Sequence, residues 1–366
     1  MIFRKANTLK VIKNLTISKK SPVSVVHFLT NRCNARCSFC FIDFDDPKTF
    51  KGELSINEID KLTKSMHDTL LNVNFTGGEP FARKDIFEIA KSYIDNTTIQ
   101  SIYITTNGSL PDRALKFVKD VNLYEKQIEI NVQVSIDALK DDHDEIRKIK
   151  GLFDKAIETY SSINDLKINN INASINITVT HENYKDIDRI YDQLKNTYKV
   201  KNIKCILVRD EGIYKTPVKL KTELLNSYSR LVSKINLDQK ISDNKNFNKS
   251  SIQGKVHRAK DKISYDFVKK TYLEDNYLSP CHASSLFGVI GASGDVFPCE
   301  ILEDKKIGNL KDYDMNFSEL WNSKLNKDTK EWILKTKCKC TYECALSFNI
   351  LGNFRYYPKL FLEFLK

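Results

Sequence analysis

Apolar runs and amphipathic segments alternate along the chain from residue 23 to about residue 209. Runs of about four to eight branched or aromatic residues predict buried strands, and apolar positions at helical spacing predict helices. The predicted strands are 23–29, 72–75, 101–105, 129–136, 173–179 and 201–208. The predicted helices include 56–70, 85–93, 112–121, 152–163 and 184–195. Ser55 and Glu58 form a capping box at the start of the first of these helices.

This alternation implies a parallel sheet with right-handed crossovers. The predicted fold class is α/β, a partial (β/α)6 TIM-like barrel followed by a small domain. Functional groups in such a barrel gather at the carboxyl ends of the strands. The predicted parts are an N-terminal extension (1–22), the barrel core (23–210), a helical linker or cap (211–279), a cysteine-bearing domain (280–345) and a C-terminal tail (346–366).

The stretch 211–280 is polar and helix-like, and it contains an Asn-, Ser- and Lys-rich patch at 242–251 that we interpret as an exposed loop. It carries 14 Lys and Arg against 8 Asp and Glu. A bridge, a substrate cap and a partner surface are alternatives, and we interpret the stretch as a solvated helical linker. The amphipathic tail is expected to pack against the barrel, with membrane-surface or partner docking as alternatives.

The composition adds limits on the class of protein. With 366 residues, of which 41% are hydrophobic, the chain can build a full core. No stretch approaches the roughly 20 apolar residues of a membrane span. The N-terminus lacks a secretory signal, so we expect a cytoplasmic protein. We interpret the net charge of +11 as a compositional bias rather than a nucleic-acid footprint, although a basic face would also attract an acidic electron donor.

Nine cysteines in a cytoplasmic protein favour metal ligands or core thiols over disulfides. Eight of them fall into two groups, 33–40 and 281–344, which indicates two metal centres. Cys205 lies alone in an apolar strand pattern and is expected to be a buried packing residue.

The first cysteine group, Cys33, Cys37 and Cys40, has the spacing C-x3-C-x2-C directly after the first predicted strand. Three thiolates leave one coordination position of a metal centre open. A cubane iron–sulfur cluster has four irons, so three protein ligands leave one iron free. A zinc site usually recruits a fourth Cys or His nearby, but no Cys follows within the next forty residues and the first His is His67.

This spacing resembles the signature of the radical S-adenosylmethionine (SAM) enzymes, in which the free iron binds SAM. The run Gly77-Gly78-Glu79-Pro80 at the end of the second strand resembles the family motif that contacts the methionyl ammonium of SAM. Adjacent glycines let the backbone approach a ligand, and Glu79 offers a carboxylate and carbonyls to a cation.

Weaker matches to the family follow in order along the chain. They imply a residue near the adenine, polar contacts to the ribose and carboxylate of SAM, and an arginine that pairs with that carboxylate. The residue near the adenine is Phe39, and the arginine is Arg147. The polar contacts are Thr106, Asn107, Ser135, Asp137 and Asn176.

The resemblance also implies the reaction. A reduced [4Fe-4S] cluster passes an electron to SAM, and the resulting 5′-deoxyadenosyl radical abstracts hydrogen from an organic substrate. A low-potential donor such as flavodoxin or ferredoxin is the implied partner, and oxygen is expected to destroy activity. The protein contributes orientation and exclusion of water.

The second cysteine group resembles SPASM and twitch extensions, which carry auxiliary iron–sulfur clusters. The motif Cys281-x12-Gly294-x4-Cys299 matches their opening, and a compressed C-x-C-x3-C follows. The resemblance implies one auxiliary [4Fe-4S] cluster held by Cys281, Cys299, Cys344 and either Cys338 or Cys340. A structural zinc is the alternative, because it too needs only four of the five.

An auxiliary cluster suits a net oxidation or bond formation. Because only about 22 residues precede the first strand, too few for a fused peptide-recognition domain, we favour a small or carrier-bound biosynthetic intermediate as substrate. The alternative is a peptide or protein maturase, which would form a thioether, a carbon–carbon crosslink or formylglycine. Remote alternatives are a zinc-stabilised nucleic-acid binder and an iron–sulfur scaffold. Acid–base groups are not assigned, and the side chains considered are Asp43, Asp45, Asp210, Glu211, Tyr342 and Glu343.

Overall fold

The computed structural model describes residues 4–50, 52–209, 214–245, 252–274 and 276–365. One sheet runs through this part of the chain in the order β6-β5-β4-β3-β2-β1-β7-β8-β9, and pairing is parallel from β6 to β7 and antiparallel beyond it. The strands are β1 Ser24–Thr30, β2 Asn72–Gly77, β3 Ser101–Thr106, β4 Glu129–Ser135, β5 Ile171–Val179, β6 Ile203–Leu207, β7 Phe287–Ile290, β8 Asp295–Phe297 and β9 Gly308–Asn309.

Helices connect and cover these strands. Those in the barrel region are α1 Thr8–Lys13, α2 Ile56–Lys64, α3 Ile86–Asn96, α4 Pro111–Tyr124, α5 Lys140–Arg147, α6 Leu152–Asn164 and α7 Ile187–Asn196. Those that follow are α8 Lys221–Lys245, α9 Ile252–Glu274, α10 Phe317–Trp321, α11 Lys324–Lys335, α12 Glu343–Leu351 and α13 Tyr357–Leu365. The predicted α/β class with a partial parallel barrel is confirmed, because β1 to β6 alternate with helices in the expected order.

Burial of branched side chains on both faces holds the parallel strands together. Every residue of β1 is buried, and Val73, Ile104, Val132 and Ile175 on the next strands are fully inaccessible. Parallel sheets need cover on both faces, which is why their strands consist of nearly continuous apolar residues. The predicted strands therefore agree with the observed ones to within about two residues.

The first predicted helix is shorter in the structure than 56–70. The expected capping box of Ser55 and Glu58 is present, but α2 ends at Lys64. Ser65 closes it, because its hydroxyl donates to the carbonyl of Leu62 over 2.7 Å and accepts from the N–H of Phe317 over 2.8 Å. A tertiary contact to the start of α10 therefore stops the helix, and no local pattern signals it.

The interpretation of 211–279 as a solvated linker is wrong for the described residues. Helix α8 packs on β5, β6 and α7, and α9 packs on α8, α12 and α13. Leu224, Tyr228 and Leu231 of α8 and Ile263 of α9 are buried in the main hydrophobic core. Of the loop predicted at 242–251, the first four residues belong to α8, and residues 246–251 lie outside the described residues. Thus α8 is the sixth helix of the barrel.

The cysteine-bearing segment joins the same sheet, which the sequence did not indicate. Strand β7 pairs in parallel with β1, with Ser24 opposite Phe287 and His27 opposite Ile290. A tight turn connects β7 to β8, in which Gly294 adopts a φ of +93° that favours glycine. Strand β1 is therefore hydrogen-bonded along both of its edges.

The C-terminal helix packs on α9 rather than directly on the barrel strands. Lys262 pairs with Glu363 over 2.6 Å and Lys359 with Asp266 over 3.0 Å, while Tyr356 contacts Phe267. Among the described residues, no helix is both long enough and apolar enough to cross a membrane.

We predict that His27 makes the protein less stable in acid. Its imidazole is buried on β1, 2.9 Å from the hydroxyl of Tyr93, and burial with the charge of Arg83 lowers its pKa from 6.5 to about 3. As pH falls through about 6 to 4, the unfolded chain therefore binds a proton at His27 that the folded chain does not bind. The free energy of unfolding decreases as a result. Urea unfolding at several pH values should give a slope about 1.4 kcal/mol per pH unit steeper for the native chain than for His27→Asn. Equal slopes would contradict this prediction.

Candidate functional site

The first candidate site lies at the carboxyl ends of the parallel strands. Cys33, Cys37 and Cys40 are half-buried in residues 31–40 after β1, which we call the cysteine loop. Burial raises the pKa of all three thiols, that of Cys40 to about 11, and the charge of Cys37 raises the other two further. The three thiols lie within eight consecutive residues of this loop, directly after the carboxyl end of β1. They keep their protons unless a metal replaces them.

Hydrogen bonds fold the cysteine loop back on itself and fix it to α5. The N–H of Ala35 donates to the Sγ of Cys33 over 3.3 Å. Arg36 donates from Nη1 to the carbonyl of Cys33 over 2.8 Å, and from its backbone N–H to the carbonyl of Arg147 over 3.1 Å. The protein therefore holds the loop in place independently of any bound group.

Gly77, the last residue of β2, and Gly78, which follows it, let this part of the chain touch the cysteine loop. The N–H of Gly78 donates to the carbonyl of Thr30 over 2.8 Å. A Cβ on Gly77 would lie 2.0 Å from the oxygen of Thr30, and one on Gly78 would lie 2.2 Å from the oxygen of Arg32. Gly77 also has a φ of +129°. We expected these glycines to admit a ligand, and the structure gives them a contact with protein backbone.

The carboxylate of Glu79 is fully buried and points toward β3. It accepts hydrogen bonds from the N–H of Phe81 over 3.0 Å, the hydroxyl of Thr106 over 2.8 Å and the N–H of Asn107 over 2.8 Å. Pro80 beside it is buried at the start of a 3-10 turn. Three protein donors therefore hold the carboxylate that we predicted to face a cation, which leaves the backbone carbonyls of this loop for that role.

Asn107 connects the end of β3 to the cysteine loop. Its Nδ2 donates to the Oδ1 of Asn34 over 2.9 Å and lies 3.7 Å from the Sγ of Cys33. Asn34 in turn donates to the hydroxyl of Ser109 over 2.9 Å. An amide donor beside a sulfur is one of the ways in which a protein tunes an iron–sulfur centre. Asn34 was not predicted, and only its place inside the cysteine spacing could have suggested it.

A buried ion pair lies on the other side of the cysteine loop. Arg147 donates from Nε and Nη2 to the Oδ2 of Asp137 over 3.0 and 2.6 Å, and Asp137 also accepts from the N–H of Thr178 over 2.8 Å. The guanidinium lies 5.9 Å from the ring centroid of Phe39. Burial lowers its pKa, but the charges of Asp137 and Cys37 raise it by more. The arginine predicted for a ligand carboxylate thus already pairs with a protein carboxylate.

Ser135 and Asn176 lie side by side on neighbouring strands. They are register partners at the end of β4 and on β5, and each is about 8% exposed. Within the described part of the chain, neither side chain hydrogen-bonds to another protein group. The structure therefore brings the predicted site residues of β1 to β5 to one edge of the sheet.

The second candidate site is formed by the C-terminal cysteines. Cys281, Cys299 and Cys340 share one buried hydrophobic cluster, and Cys338 packs against it. Burial raises the pKa of Cys299 to about 12, and the charge of Cys338 adds to this shift. Cys344 has an exposed side chain, although surrounding protein desolvates its thiol and raises the pKa. All five cysteines therefore belong to one region.

Two family comparisons fit these two sites. A model of the radical SAM superfamily matches residues 28–194, which include the end of β1, the cysteine loop and β2 to β5. A model of the SPASM iron–sulfur cluster-binding domain matches residues 281–345, which include all five C-terminal cysteines. The chain carries a radical SAM superfamily domain at residues 28–194 and a SPASM domain at residues 281–345. These domains imply [4Fe-4S] clusters and SAM as cofactors.

Known proteins resemble the radical SAM and SPASM domains to different extents. Fe-coproporphyrin III synthase of Methanosarcina barkeri (strain Fusaro / DSM 804) is 33% identical over 186 residues, 50% of this chain and 43% of that protein. GTP 3′,8-cyclase of Clostridium perfringens (strain SM101 / Type A) is 31% identical over 174 residues, 47% of this chain and 50% of that protein. The chain thus spans half or less of the length of these relatives.

Solved structures extend the match to nearly the whole fold. The structure of anSMEcpe with bound AdoMet has a TM-score of 0.59 at 20% identity and covers 94% of this chain and 96% of its own. Streptococcus suis SuiB bound to S-adenosylmethionine has a TM-score of 0.57 at 17% identity, over 88% of this chain and 70% of its own. At these identities the likeness shows the shared fold.

The donor set of the radical SAM domain fits a cubane. Within the described ranges, no three His, Cys, Asp or Glu side chains close around a single metal ion. A cubane does not need that geometry, because each of its irons takes its own thiolate. Three half-buried thiols on one loop, with the amide of Asn107 3.7 Å from the Cys33 sulfur, would supply three corners and leave one iron without a protein ligand.

The other residues singled out by sequence lie outside these ligand sets or beside them. Cys205 is buried on β6, as predicted. Asp43 and Asp45 are exposed in a turn where Asp43 accepts from the N–H of Asp45 over 2.9 Å, and Asp210 and Glu211 lie outside the described residues.

Tyr342 and Glu343 lie within the SPASM segment. Tyr342 is buried. The Glu343 carboxylate accepts from the N–H of Leu207 and the hydroxyl of Tyr228, each over 3.3 Å, and burial raises its pKa to about 7.

We predict that Gly78→Ala disrupts the first cluster site selectively. The added Cβ would meet the oxygen and carbon of Arg32 at 2.2 and 2.5 Å, so the cysteine loop must move. After anaerobic reconstitution we expect the iron of the radical SAM domain to be lost while that of the SPASM domain stays. Gly291→Ala is the matched control, because its Cβ meets its nearest neighbour at an ordinary 3.4 Å. Full iron in the Gly78 variant would show that the loop tolerates the shift.

Proposed function

We propose that this protein is a radical SAM enzyme that cleaves SAM reductively and abstracts hydrogen from an organic substrate. One auxiliary [4Fe-4S] cluster in the SPASM domain assists a net oxidation or bond formation. The observation that carries the proposal is the group of three half-buried thiols on the cysteine loop after β1, a loop that contains no fourth Cys and no His. A redox protein that stored electrons alone would be better served by four ligands.

When bound, the reduced cluster supplies the electron that breaks the carbon–sulfur bond of SAM and yields a 5′-deoxyadenosyl radical. The chain's own residues bind and orient. Cys33, Cys37 and Cys40 would each hold one iron, and Asn107 would donate to the Cys33 sulfur, to which its amide is already directed at 3.7 Å. The buried Arg147 cation would offset the negative charge of the thiolates.

The remaining SAM contacts come from side chains and backbone at the carboxyl edge. Ser135 and Asn176 have free hydrogen-bonding groups there, and Phe39 offers an aromatic surface beside Arg147. We propose carbonyls of residues 77–80 for the ammonium of SAM, since protein donors engage the Glu79 carboxylate.

In the SPASM domain, four of the five cysteines would hold the auxiliary cluster: Cys281, Cys299, Cys344 and either Cys338 or Cys340. Cys299 interacts electrostatically with Cys338, which supports Cys338 as the fourth ligand. Cys340 is buried in one cluster with Cys281, which supports Cys340 equally. A low-potential donor such as flavodoxin or ferredoxin would reduce the first cluster, and the basic surface suits an acidic partner.

For the substrate, we propose a small or carrier-bound biosynthetic intermediate. Two sequence relatives above 30% identity are named for a tetrapyrrole and a nucleotide. A peptide substrate is the second candidate, since anSMEcpe has been solved with the Cp18Cys peptide and SuiB with its precursor peptide SuiA. The length of the N-terminal extension does not decide between the two candidates. The reason is that anSMEcpe, which has been solved with a peptide, matches this chain over 96% of its own length.

The central test is anaerobic reconstitution with iron and sulfide, followed by SAM and dithionite, with 5′-deoxyadenosine as readout. We expect about eight irons per chain, the content of two cubanes. Cys33→Ala, Cys37→Ala and Cys40→Ala should each abolish 5′-deoxyadenosine formation and leave about four irons in the SPASM domain. Cys205→Ala is the matched control, and it should retain both 5′-deoxyadenosine formation and the full iron content. A fully loaded native chain that leaves SAM intact would refute the proposal.

A deuterium-transfer assay separates the two substrate classes. The active enzyme is incubated with extracts of cells grown in deuterated medium, with and without prior protease digestion. We expect deuterium to appear in 5′-deoxyadenosine equally in both, because protease digestion leaves a small substrate intact. Loss of the label after digestion would favour a substrate borne on a polypeptide, either a peptide or an intermediate on a carrier protein, and the Cys37→Ala variant gives the background.

A further inference from the structure

Arg209 follows β6 and lies among the residues of the auxiliary site without being a ligand. Its guanidinium forms a close ion pair with Glu300, whose side chain is 8% exposed. It also stacks over the ring of Tyr342, 4.0 Å from the centroid. Cation–π contacts at this distance gain strength when water is excluded. One side chain of the barrel thus contacts two residues of the SPASM domain.

The two partners belong to different cysteine segments. Glu300 directly follows Cys299, and Tyr342 lies two residues before Cys344. About forty residues of chain separate these segments, and Cys299 and Tyr342 meet in one buried cluster, so a contact from outside both adds a further link between them. Arg209 makes that contact with a rigid planar group.

Arg209 also faces the first site. Its guanidinium lies 6.0 Å from the ring of Phe41, which directly follows Cys40 in the cysteine loop. Phe41 packs edge-on against Phe28 of β1, with centroids 5.8 Å apart. The arginine is therefore positioned between the radical SAM cysteines and the auxiliary cysteines.

The charges of this group reach the auxiliary sulfurs. The Arg209 cation pairs with Glu300, the residue directly after Cys299, and lies over Tyr342, two residues before Cys344. A neighbour that favours negative charge on the sulfurs also favours an added electron on their cluster, since both increase the local negative charge. Arg209 and Glu300 therefore act on the cluster in opposite directions.

We propose that Arg209 is a positioning residue of the auxiliary site: it holds the segments of Cys299 and Cys344 together and raises the reduction potential of their cluster, and Glu300 limits that rise. This inference rests on the proposed function, which places a cluster at these cysteines. It assigns a role to a residue outside the cysteine motif.

The test measures the potential of the auxiliary cluster alone. The background is the full-length chain with Cys33, Cys37 and Cys40 changed to Ala, reconstituted anaerobically and titrated by electron paramagnetic resonance. In Arg209→Gln we expect at least a tenfold fall in the equilibrium constant for reduction, a shift of about 59 mV for one electron. In Glu300→Gln we expect a shift of the opposite sign. The double variant should return toward the background value.

Controls separate charge from structure. Arg209→Lys keeps the cation but loses the planar stack, so it should shift the potential less than Arg209→Gln. Arg230→Gln removes an exposed arginine that pairs with Asp188 on the outer helices, and it should shift nothing. Opposite shifts in the two single variants support the inference, because a purely structural disturbance has no reason to reverse sign.

The outcomes also separate this inference from the proposed function. A background chain without iron in the SPASM domain would contradict the proposed function. A loaded chain in which the potentials of the single variants stay unchanged, or move in the same direction, would overturn the role of Arg209 alone. If Arg209→Gln fails to hold iron, Glu300→Gln decides, and absence of an upward shift there overturns the inference.

Discussion

Strand β1 is bonded along both edges, and the positions of both cysteine sites depend on it. On one edge it pairs with β2, whose end brings Gly77 and Gly78 into contact with the cysteine loop. On the other it pairs with β7, which brings the SPASM segment into the same sheet. All of its residues are buried, so water cannot compete for these hydrogen bonds. The two sites are therefore related through a single rigid element rather than through a linker.

Burial has a second effect at both sites, because it disfavours charge on the thiols. The pKa values of Cys40 and Cys299 are raised to about 11 and about 12. A cluster would convert these thiols to thiolates, and the chain holds a buried or partly buried arginine next to each group. Arg147 pairs with Asp137, and Arg209 pairs with Glu300. A carboxylate keeps each cation partnered, so neither arginine is an isolated buried charge.

The sequence was informative where local pattern and chemistry coincide. Strand ends could be predicted because a parallel sheet needs continuous apolar runs. The cysteine spacing was informative because three thiols on one loop point to one shared metal centre. Strands β7 to β9 were missed because they are short, two to four residues each. Helix α8 was misread because its charged surface dominates the composition, whereas Leu224 and Tyr228 lie inward.

The partners of the site residues were harder to predict. Glu79 and Arg147 look like ligand groups in sequence, yet in the fold each is held by protein groups that arrive from other strands. Thr106, Asn107 and Asp137 are 27, 28 and 10 residues away from their partners. Arg209 had no motif at all, and only its approach to Glu300 and Tyr342 distinguishes it from an ordinary surface arginine.

The pairing of β1 with β7 has a consequence for how the chain acquires its shape. Ser24 and Phe287 are opposite each other although most of the polypeptide separates them. During synthesis, β2 to β6 leave the ribosome long before β7, so one edge of β1 stays unpaired for most of that time. An open edge strand is a template for wrong pairing. During this stage β1, whose residues are all buried in the folded protein, is open to wrong pairing along one edge. The stage ends when β7 and the second cysteine segment have been synthesised.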